Sequence, residues 1–227
     1  MNNKILFKLE EMFHTSPQLL RNDEKLRQAI QGIFNVSIDN VKFTNIGELV
    51  DRIDEEVLRK YFSEIWQPKT KSFKYSGLSI INEVNSLNPR AVLDIGCGYN
   101  EFKSKIQNLT GVDPYNKCAD ISTSILNYVT DKKYDAIIAF GSINFGSTDK
   151  VFSELEKAVS LTAKNGKLFF RVNPGLPHDP PESRWISFYP WSTNFIVNCA
   201  DYFGVDILDI KSDNNGRLYF VWSKPFD

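Results

Sequence analysis

The hydrophobic periodicity of the chain changes near Pro89, and this change constrains the fold more than any other feature. Before it, apolar residues recur at helical spacing, and the longest stripe runs from Ile46 to Leu58. After it, short β-rich runs alternate with helical or turn segments. This alternation is typical of βαβ units that build a parallel sheet. We therefore predict a helical N-terminal cap over residues 1–75 and an α/β domain over residues 76–227.

The α/β region predicts five strands before a terminal hairpin. The predicted strands cover residues 90–95, 109–113, 118–121, 134–140 and 167–172. The predicted helices cover about 76–87, 122–130, 148–164 and 192–203. The last two apolar runs, GVDILDIK and GRLYFVWS, are joined by turn residues and predict an antiparallel hairpin. The expected fold class is α/β, with a doubly wound, mostly parallel sheet that has an antiparallel edge.

Composition limits the class of ligand. The chain has 27 Lys and Arg against 28 Asp and Glu, which gives a formal net charge of -1. The basic excess of a dedicated nucleic-acid-binding protein is absent, which favours a small-molecule partner.

Three distant cysteines and two histidines do not form a zinc motif of the usual spacing, so we expect reduced thiols and no metal site. No apolar run approaches the roughly 20 residues that span a bilayer, so we expect a cytoplasmic protein without membrane association.

The segment VLDIGCGYN, residues 92–100, is the most informative motif. A buried strand is expected to run directly into a glycine turn at Gly96 and Gly98 and then into a helix. In a doubly wound sheet such a turn lets backbone N–H groups and a helix N-terminus approach a nucleotide-like ligand. The dinucleotide fingerprint G-x-G-x-x-G is not met, because Glu101 occupies its third glycine position. Asp94 would repel a pyrophosphate but suit an ammonium group, so we predict a cationic or zwitterionic ligand.

Two further carboxylates are predicted at neighbouring strand ends. Asp113 follows Asp94 by nineteen residues, a spacing that suits a carboxylate accepting both hydroxyls of a ribose. Asp120 ends the next predicted strand, where it could accept from an adenine amino group while Ile121 packs on the ring. The three strand ends together predict a site for adenosine.

These motifs as a set resemble the class I S-adenosylmethionine-dependent methyltransferases. VLDIGCG is similar to their glycine-rich motif, LTGVDPY to their ribose-binding motif, CADI to their adenine-contact motif and YDAIIAFGSINF to their fourth strand and loop. The resemblance covers about residues 75–227 and implies a Rossmann-like fold that binds S-adenosyl-L-methionine and releases S-adenosyl-L-homocysteine. The residues that it assigns to the cofactor are Tyr75, Asp94, Gly96, Cys97, Gly98, Asn100, Asp113, Pro114, Tyr115, Asp120, Ile121, Phe140 and Gly141.

The sequence departs from the family pattern after the second strand. Only four residues, Pro114 to Lys117, separate Asp113 from CADI, so the helix that the family usually places there is expected to be missing or reduced to a turn. Asn100 stands where a small residue is usual, and asparagine tolerates the left-handed geometry of such a turn.

Methyl transfer from a sulfonium is an in-line displacement that needs a positioned acceptor and often no general base. Candidate catalytic residues lie at the carboxyl ends of the fourth and fifth predicted strands: Ser142, Asn144, Arg171 and Asn173. The aromatic, proline-rich loop from Asn173 to Trp191 is either a substrate lid, with His178 as a possible base, or a cover for the core. Arg171 could instead pair with a carboxylate.

The sequence therefore predicts a methyltransferase that acts on a small molecule. One alternative is a nucleic-acid methyltransferase, because residues 59–75 interleave basic and aromatic side chains that could follow a phosphate backbone and stack on bases. Another is a protein that binds S-adenosylmethionine without catalysis, because no residue stands out as a base. A nicotinamide oxidoreductase is the remaining alternative.

Overall fold

The structure is a computed structural model that describes residues 1–66, 70–176, 181–213 and 215–226. The chain divides into two compact units. The first contains residues 1–66 and the later segment 181–187, and the second contains the described residues from 70 to 176 and from 188 to 226. The domain boundary at residue 75 stays a prediction. No helix in these described ranges is long and apolar enough to cross a membrane.

The first unit is helical, as its periodicity predicts. Its helices are α1 (Asn3–Thr15), α2 (Asp23–Phe34) and α3 (Ile46–Lys60). Each begins after an asparagine, and the side-chain oxygens of Asn2, Asn22 and Asn45 accept hydrogen bonds from backbone N–H groups of the first turn. The buried residues of each helix lie on one stripe, so the stripes build the core of this unit.

A segment from late in the sequence completes this unit. The Trp185 ring packs against Phe34 at a centroid distance of 4.7 Å, and its Nε1 donates to the carbonyl oxygen of Ile33. The Asn2 side chain donates to the carbonyl oxygen of Trp185 at 2.7 Å. Within this unit, therefore, Trp185 covers a helical core.

The second unit is a six-stranded sheet with the predicted arrangement. Its strands are β1 (Val92–Ile95), β2 (Leu109–Val112), β3 (Tyr134–Phe140), β4 (Thr162–Val172), β5 (Asp206–Ser212) and β6 (Leu218–Ser223). The order is β2-β1-β3-β4-β6-β5, with β1 to β4 parallel and β6 antiparallel to both β4 and β5. The mostly parallel sheet with an antiparallel edge is confirmed.

Helices and turns cover both faces of this sheet. The helices are α4 (Ile81–Ser86), α5 (Thr148–Leu161) and α6 (Thr193–Phe203). One core cluster joins the sheet to α5 and α6 and includes the buried rings of Trp191, Phe220 and Trp222. The other cluster lies around Phe169 and includes Val84 of α4. Alternate strand residues thus pack into two cores, which explains why nearly all residues of β1 and β3 are buried.

Two predicted elements between β2 and β3 are wrong. Residues 118–121 form turns, and only Ile121 pairs with Val112 in an isolated bridge. Residues 122–130 form bends and a turn instead of a helix. Within this segment only Ile125 and Tyr128 are buried, while Val129 is 91% exposed, so too few apolar anchors exist for a packed helix. The expected absence of a helix between Asp113 and CADI is confirmed, since this stretch is a series of turns.

The helix expected after the glycine turn is also wrong. Residues 98–108 form successive turns, and Asn100 adopts a left-handed conformation with φ of 55°. A left-handed residue interrupts the hydrogen-bond ladder of a right-handed helix. The electropositive helix N-terminus expected beside the ligand is therefore replaced by the separate N–H groups of a turn.

The helix predicted over 148–164 ends early. It stops at Leu161, and β4 begins at Thr162, five residues before the predicted strand. Asn165 and Gly166, interpreted from the sequence as a helix stop, lie inside β4 at an irregularity in its pairing with β3. Asn165 has a φ of 60°, so the same residues mark a bulge instead of a helix end.

Candidate functional site

The glycine turn lies at the carboxyl end of β1, where the sheet places ligands in this architecture. The N–H groups of Gly96 and Cys97 donate to the carbonyl oxygen of Val112 at 2.8 and 3.2 Å, which ties the turn to β2. Gly96 has a φ of 68°, and a Cβ atom there would lie 2.3 Å from the Cβ of Ser142. Glycine is therefore required at this position, both for its conformation and for the close approach of the loop after β3.

Asp94 is a buried carboxylate without a hydrogen-bond partner among the described residues. It is 3% exposed. Burial, together with the smaller effect of the negative charge of Asp113, raises the pKa of Asp94 to about 7. A carboxyl group in this position is costly to ionise unless a cation or a hydrogen-bond donor lies beside it. The geometry therefore supports the predicted preference for a positively charged group.

Asp113, predicted to hold a ribose, organises the backbone around it. Its Oδ1 accepts from the N–H groups of Tyr115 and Asn116 at 2.7 and 2.8 Å, and its Oδ2 accepts from the Gly98 N–H at 3.0 Å. Each carboxylate oxygen has two lone pairs, so Oδ2 retains one acceptor site. Asp113 thus joins the glycine turn to the loop after β2, and Pro114 in that loop is exposed.

Asp120 lies beside the same turns. Its Oδ2 accepts from the Gly111 N–H at 2.8 Å and from the Lys103 Nζ at 2.9 Å. Partial burial acts to raise the pKa of Asp120, but these bonds, with one from Asn100, outweigh it, so the pKa is lowered. Asp120 is therefore ionised, and these hydrogen bonds hold its carboxylate in place. The next residue, Ile121, is 38% exposed, so its apolar side chain is accessible beside Asp120.

Two buried polar atoms near the glycine turn have no partner in the described structure. They are the Oδ1 of Asn100 and the Oγ of Ser142. The Nδ2 of Asn100 donates to the Cys118 carbonyl oxygen at 3.1 Å. Because buried polar atoms are nearly always hydrogen-bonded, these two indicate places where a ligand can donate or accept. β3 ends at Phe140, as predicted, and Gly141 and Ser142 follow it.

The Cys97 thiol is buried in the turn. Burial, with the nearby carboxylates of Asp94, Asp113 and Asp120, raises the pKa of the thiol far above its usual range. A thiol that stays protonated is a poor nucleophile. Cys97 therefore contributes packing and its backbone N–H to this site.

Asn144 is buried in the loop after β3 and connects it to the loop after β4. Its Oδ1 accepts from the Asn173 N–H at 2.9 Å, and its carbonyl oxygen accepts from the Tyr189 N–H at 2.7 Å. The Nδ2 of Asn144 lies beside Gly141. The structure thus brings together Gly96, Ser142, Asn144 and Asn173 along one edge of the sheet.

Arg171 has a carboxylate partner. Its Nε donates to the Asp213 Oδ2 at 3.1 Å, and its guanidinium lies 4.0 Å from the centre of the Phe73 ring. Asp213 also accepts from the Ser76 hydroxyl and the Tyr75 N–H. The contacts of Arg171 therefore join residues 73–76 to the turn after β5, and its predicted catalytic role stays a prediction.

Tyr75 lies away from the glycine turn in the sheet. Its ring stacks on Tyr219 of β6 at 6.3 Å and has Lys74 and Lys211 each 4.9 Å from its centre. Strands β3 and β4 separate β6 from β1. The Tyr219 ring also contacts the ring of Phe140, at a centroid distance of 6.4 Å, so Tyr75 packs near one of the other predicted cofactor residues, and its cofactor role stays a prediction. His178, the remaining predicted catalytic residue, lies outside the described residues.

Sequence reasoning missed the importance of Ser76, Asp213 and Arg217. Asp213 and Arg217 flank the hairpin turn, where polar residues are expected for conformational reasons alone. Their roles depend on partners far away in sequence, and a single sequence carries no signal for such pairs.

The loop from Asn173 to Trp191 divides between the two units. Tyr189 and Trp191 pack in the core of the second unit, and the Trp191 Nε1 donates to the Ile143 carbonyl oxygen at 3.0 Å. For these residues the interpretation as a core cover is the one that the contacts support.

Comparison with solved structures identifies proteins of the same architecture. A 1,6-didemethyltoxoflavin-N1-methyltransferase from Burkholderia thailandensis, solved with 1,6-didemethyltoxoflavin and S-adenosylhomocysteine, superposes with a TM-score of 0.58 at 11% identity, covering 84% of this chain and 95% of that chain. An S-adenosylmethionine-dependent methyltransferase from Clostridium acetobutylicum superposes with a TM-score of 0.50 at 13% identity, covering 64% of this chain and 89% of that chain. No protein-family model and no curated protein matches the chain. The chain therefore has the fold of class I S-adenosylmethionine-dependent methyltransferases.

Proposed function

We propose that this protein is an S-adenosylmethionine-dependent methyltransferase that acts on a small molecule. The observation that carries the proposal is Asp94, a buried carboxylate with no partner in the described structure, next to a glycine turn at the carboxyl end of β1. S-adenosylmethionine carries an ammonium and a sulfonium group, and either would compensate this charge. The fold shared with solved methyltransferases supports the same ligand.

The residues at this edge of the sheet fit such a cofactor. Asp94 would hold the cationic methionine end, and the free acceptor site of Asp113 Oδ2 would take one ribose hydroxyl. Asp120 and the exposed Ile121 would contact the adenine. The unpartnered Ser142 Oγ would donate to or accept from the ligand. When bound, the cofactor would supply an electrophilic methyl group: the acceptor bonds to the methyl carbon in line with the C–S bond, which breaks and releases S-adenosylhomocysteine as a neutral thioether.

Among the described residues at this edge of the sheet none is an evident general base, and these residues would act by binding and orienting the cofactor and the acceptor. The Asn144 Oδ1 is engaged with a backbone N–H, so its Nδ2 is the atom left to orient an acceptor. Arg171 stays protonated, as guanidinium groups do in proteins, and faces Asp213. Because the leaving thioether is neutral, catalysis would rest on placing the acceptor in line and excluding water.

A small-molecule acceptor is supported by the charge of the chain and by the surroundings of Tyr75. One face of the Tyr75 ring stacks on Tyr219, so that face is not available to a nucleobase. The basic-aromatic stretch also divides between the units, since Arg59 and Lys60 belong to the first and Lys74 and Tyr75 to the second. These observations favour a small molecule over a nucleic acid.

Calorimetric titration with S-adenosylmethionine, S-adenosylhomocysteine and NAD tests the proposal. We expect micromolar binding of the first two and none of NAD. Asp94→Asn should weaken S-adenosylmethionine binding by about one to two decades, because a charge-assisted contact of roughly 1.5–3 kcal/mol is lost. Asp201→Asn, at an exposed position on α6, is the control and should bind normally. Binding of NAD alone would contradict the proposal.

Formation of S-adenosylhomocysteine separates an enzyme from a protein that only binds the cofactor. The purified protein is incubated with S-adenosylmethionine and small hydroxylated or amine acceptors, and the product is quantified. We expect acceptor-dependent formation of S-adenosylhomocysteine. Tight binding with no turnover across oxygen, nitrogen and carbon acceptors would favour the non-catalytic alternative.

A further inference from the structure

Two arginines lie together at the carboxyl end of β4, and only one of them has a carboxylate partner in the described structure. Arg171 donates to Asp213 at 3.1 Å and to the Asn215 Oδ1 at 2.6 Å. Arg217 donates to the Asn173 Oδ1 at 2.9 Å, and that amide is neutral. In the described part of the chain no carboxylate lies within ion-pair distance of Arg217.

Arg217 is a partly buried cation in an unfavourable field. Burial lowers the pKa of Arg217, and the positive charge of Arg171 lowers it further. A guanidinium does not lose its proton in proteins, so the unfavourable energy remains until an anion approaches. The group carries five N–H donors in a planar fork, and one of them is engaged by Asn173. The remaining donors suit two oxygens of a carboxylate or phosphate.

Contacts along the sheet edge connect Arg217 to the proposed cofactor site. Asn173, which accepts from Arg217, donates its N–H to Asn144. Asn144 belongs to the loop that also contains Ser142, and Ser142 contacts the glycine turn at Gly96. All of these residues belong to the second unit. An acceptor placed between Ser142 and Arg217 would lie over the carboxyl ends of β3 and β4.

We propose that Arg217 binds an anionic group, a carboxylate or a phosphate, on the methyl acceptor. This inference rests on the proposed methyltransferase function, because that function makes this edge of the sheet the acceptor side. It narrows the substrate class from any small molecule to anionic ones. Arg171 is already paired with Asp213, so the anion is assigned to Arg217 and not to Arg171.

The test measures binding of simple anions to the full chain in the presence of S-adenosylhomocysteine. Benzoate and inorganic phosphate are the two probes, and benzamide is the neutral analogue, all at constant ionic strength. We expect at least one anion to bind at least tenfold more tightly than benzamide, and the stronger of the two identifies carboxylate or phosphate. Equal weak binding of all three probes by the wild-type chain would overturn the inference.

Variants of Arg217 assign the binding to this side chain. Arg217→Gln removes the charge but keeps a donor for Asn173, and it should lose at least tenfold in anion affinity. Arg217→Lys should retain part of it. Arg90→Gln, at an exposed arginine that pairs with Asp135, should bind the anion normally. Unchanged anion binding by Arg217→Gln would assign the anion elsewhere and overturn the inference.

The same samples separate this inference from the proposed function. Arg217→Gln should bind S-adenosylhomocysteine like the wild type, which also shows that it is folded. Cofactor binding without anion binding would overturn the inference alone. Anion binding that depends on Arg217, in a chain that binds no S-adenosylmethionine, would overturn both the methyltransferase proposal and the assignment of the anion to a methyl acceptor.

Discussion

Two of the aspartates that the second unit buries at the same edge of its sheet, Asp94 and Asp213, differ in what surrounds them. Asp213 is 4% exposed and accepts from Arg171, the Ser76 hydroxyl and a backbone N–H. Asp94 is 3% exposed and has no such partner in the described structure. A buried charge must be compensated, either from within the chain or by a ligand. The comparison therefore assigns Asp213 to structure and Asp94 to binding.

The largest expected effect comes from removing Arg171, the ion-pair partner of Asp213. Arg171→Met leaves the Asp213 charge buried without its ion-pair partner and should lower the free energy of unfolding by about 3–5 kcal/mol. Urea denaturation of the variant and of the wild type measures this. The control is Arg90→Gln, whose exposed pair with Asp135 should contribute nothing measurable. Equal midpoints for Arg171→Met and the wild type would contradict a structural role for Asp213.

Removing the charge of Asp94, which has no partner in the described structure, is expected to have the opposite effect and stabilise the protein. The pKa of Asp94 is raised to about 7 in the folded chain, whereas an unfolded aspartate has a pKa of about 3.9. Between these values the folded state binds more protons, so the stability of the ligand-free protein falls as the pH rises from about 4 to about 7 and levels off above that. Asp94→Asn should therefore raise the free energy of unfolding at pH 8 by roughly 1–3 kcal/mol.

Denaturation at pH 5 and pH 8 without ligand checks this prediction. The stabilisation by Asp94→Asn should be larger at pH 8 than at pH 5, because at pH 5 only part of the wild-type stability lost between the unfolded and folded pKa values has been lost. A variant that is less stable than the wild type at pH 8 would show that Asp94 has a partner in the folded protein, and the contrast with Asp213 would fail.

Cofactor affinity should depend on the same ionisation. With a pKa of about 7, Asp94 is mostly protonated at pH 6 and mostly ionised at pH 8. Because a cationic ligand favours the ionised form, the Kd for S-adenosylmethionine should fall by about tenfold from pH 6 to pH 8. Calorimetry in buffers of different ionisation enthalpy should also detect proton release at pH 6. The pH dependence should be much smaller for Asp94→Asn, and an unaltered dependence would exclude Asp94 as its source.

The smallest expected effects come from two serines at these sites. Ser76 donates to Asp213, so Ser76→Ala should lower the free energy of unfolding by about 1 kcal/mol. The Ser142 Oγ is buried without a partner, so Ser142→Ala should leave stability nearly unchanged but weaken S-adenosylmethionine binding severalfold. Parallel denaturation and titration of both variants make the comparison. If Ser142→Ala has a lower free energy of unfolding but an unchanged affinity for S-adenosylmethionine, the Ser142 hydroxyl is structural and does not bind the cofactor.

The cofactor side of the candidate site was accessible from sequence because its residues follow strands directly. Asp94 and Gly96 belong to one uninterrupted motif, and Asp113 follows β2 at the spacing expected for a neighbouring strand. Parallel strands end at the same edge, so local sequence places these groups together. The strand and helix predicted within residues 118–130 were wrong for the opposite reason. Short apolar runs do not distinguish a strand from a helix unless their packing partners are known.

The arrangement of the acceptor side could not be predicted from the sequence, because it depends on contacts between residues that are distant along the chain. Ser76 and Asp213 are separated by 137 positions, and Asn173 and Arg217 by 44. Arg171 was a candidate for catalysis or for an ion pair, and its carboxylate partner became evident only when the hairpin turn was placed beside β4.

The sequence by itself determined the parallel sheet with its antiparallel hairpin, the glycine turn and the carboxylates that end β1 and β2. These features follow from hydrophobic periodicity and from local turn chemistry, which act over a few residues. Only the tertiary structure decided which buried charges are compensated. Compensation depends on distance in space, and folding brought a partner to Asp213 while leaving Asp94 and Arg217 facing the places where we propose that ligands bind.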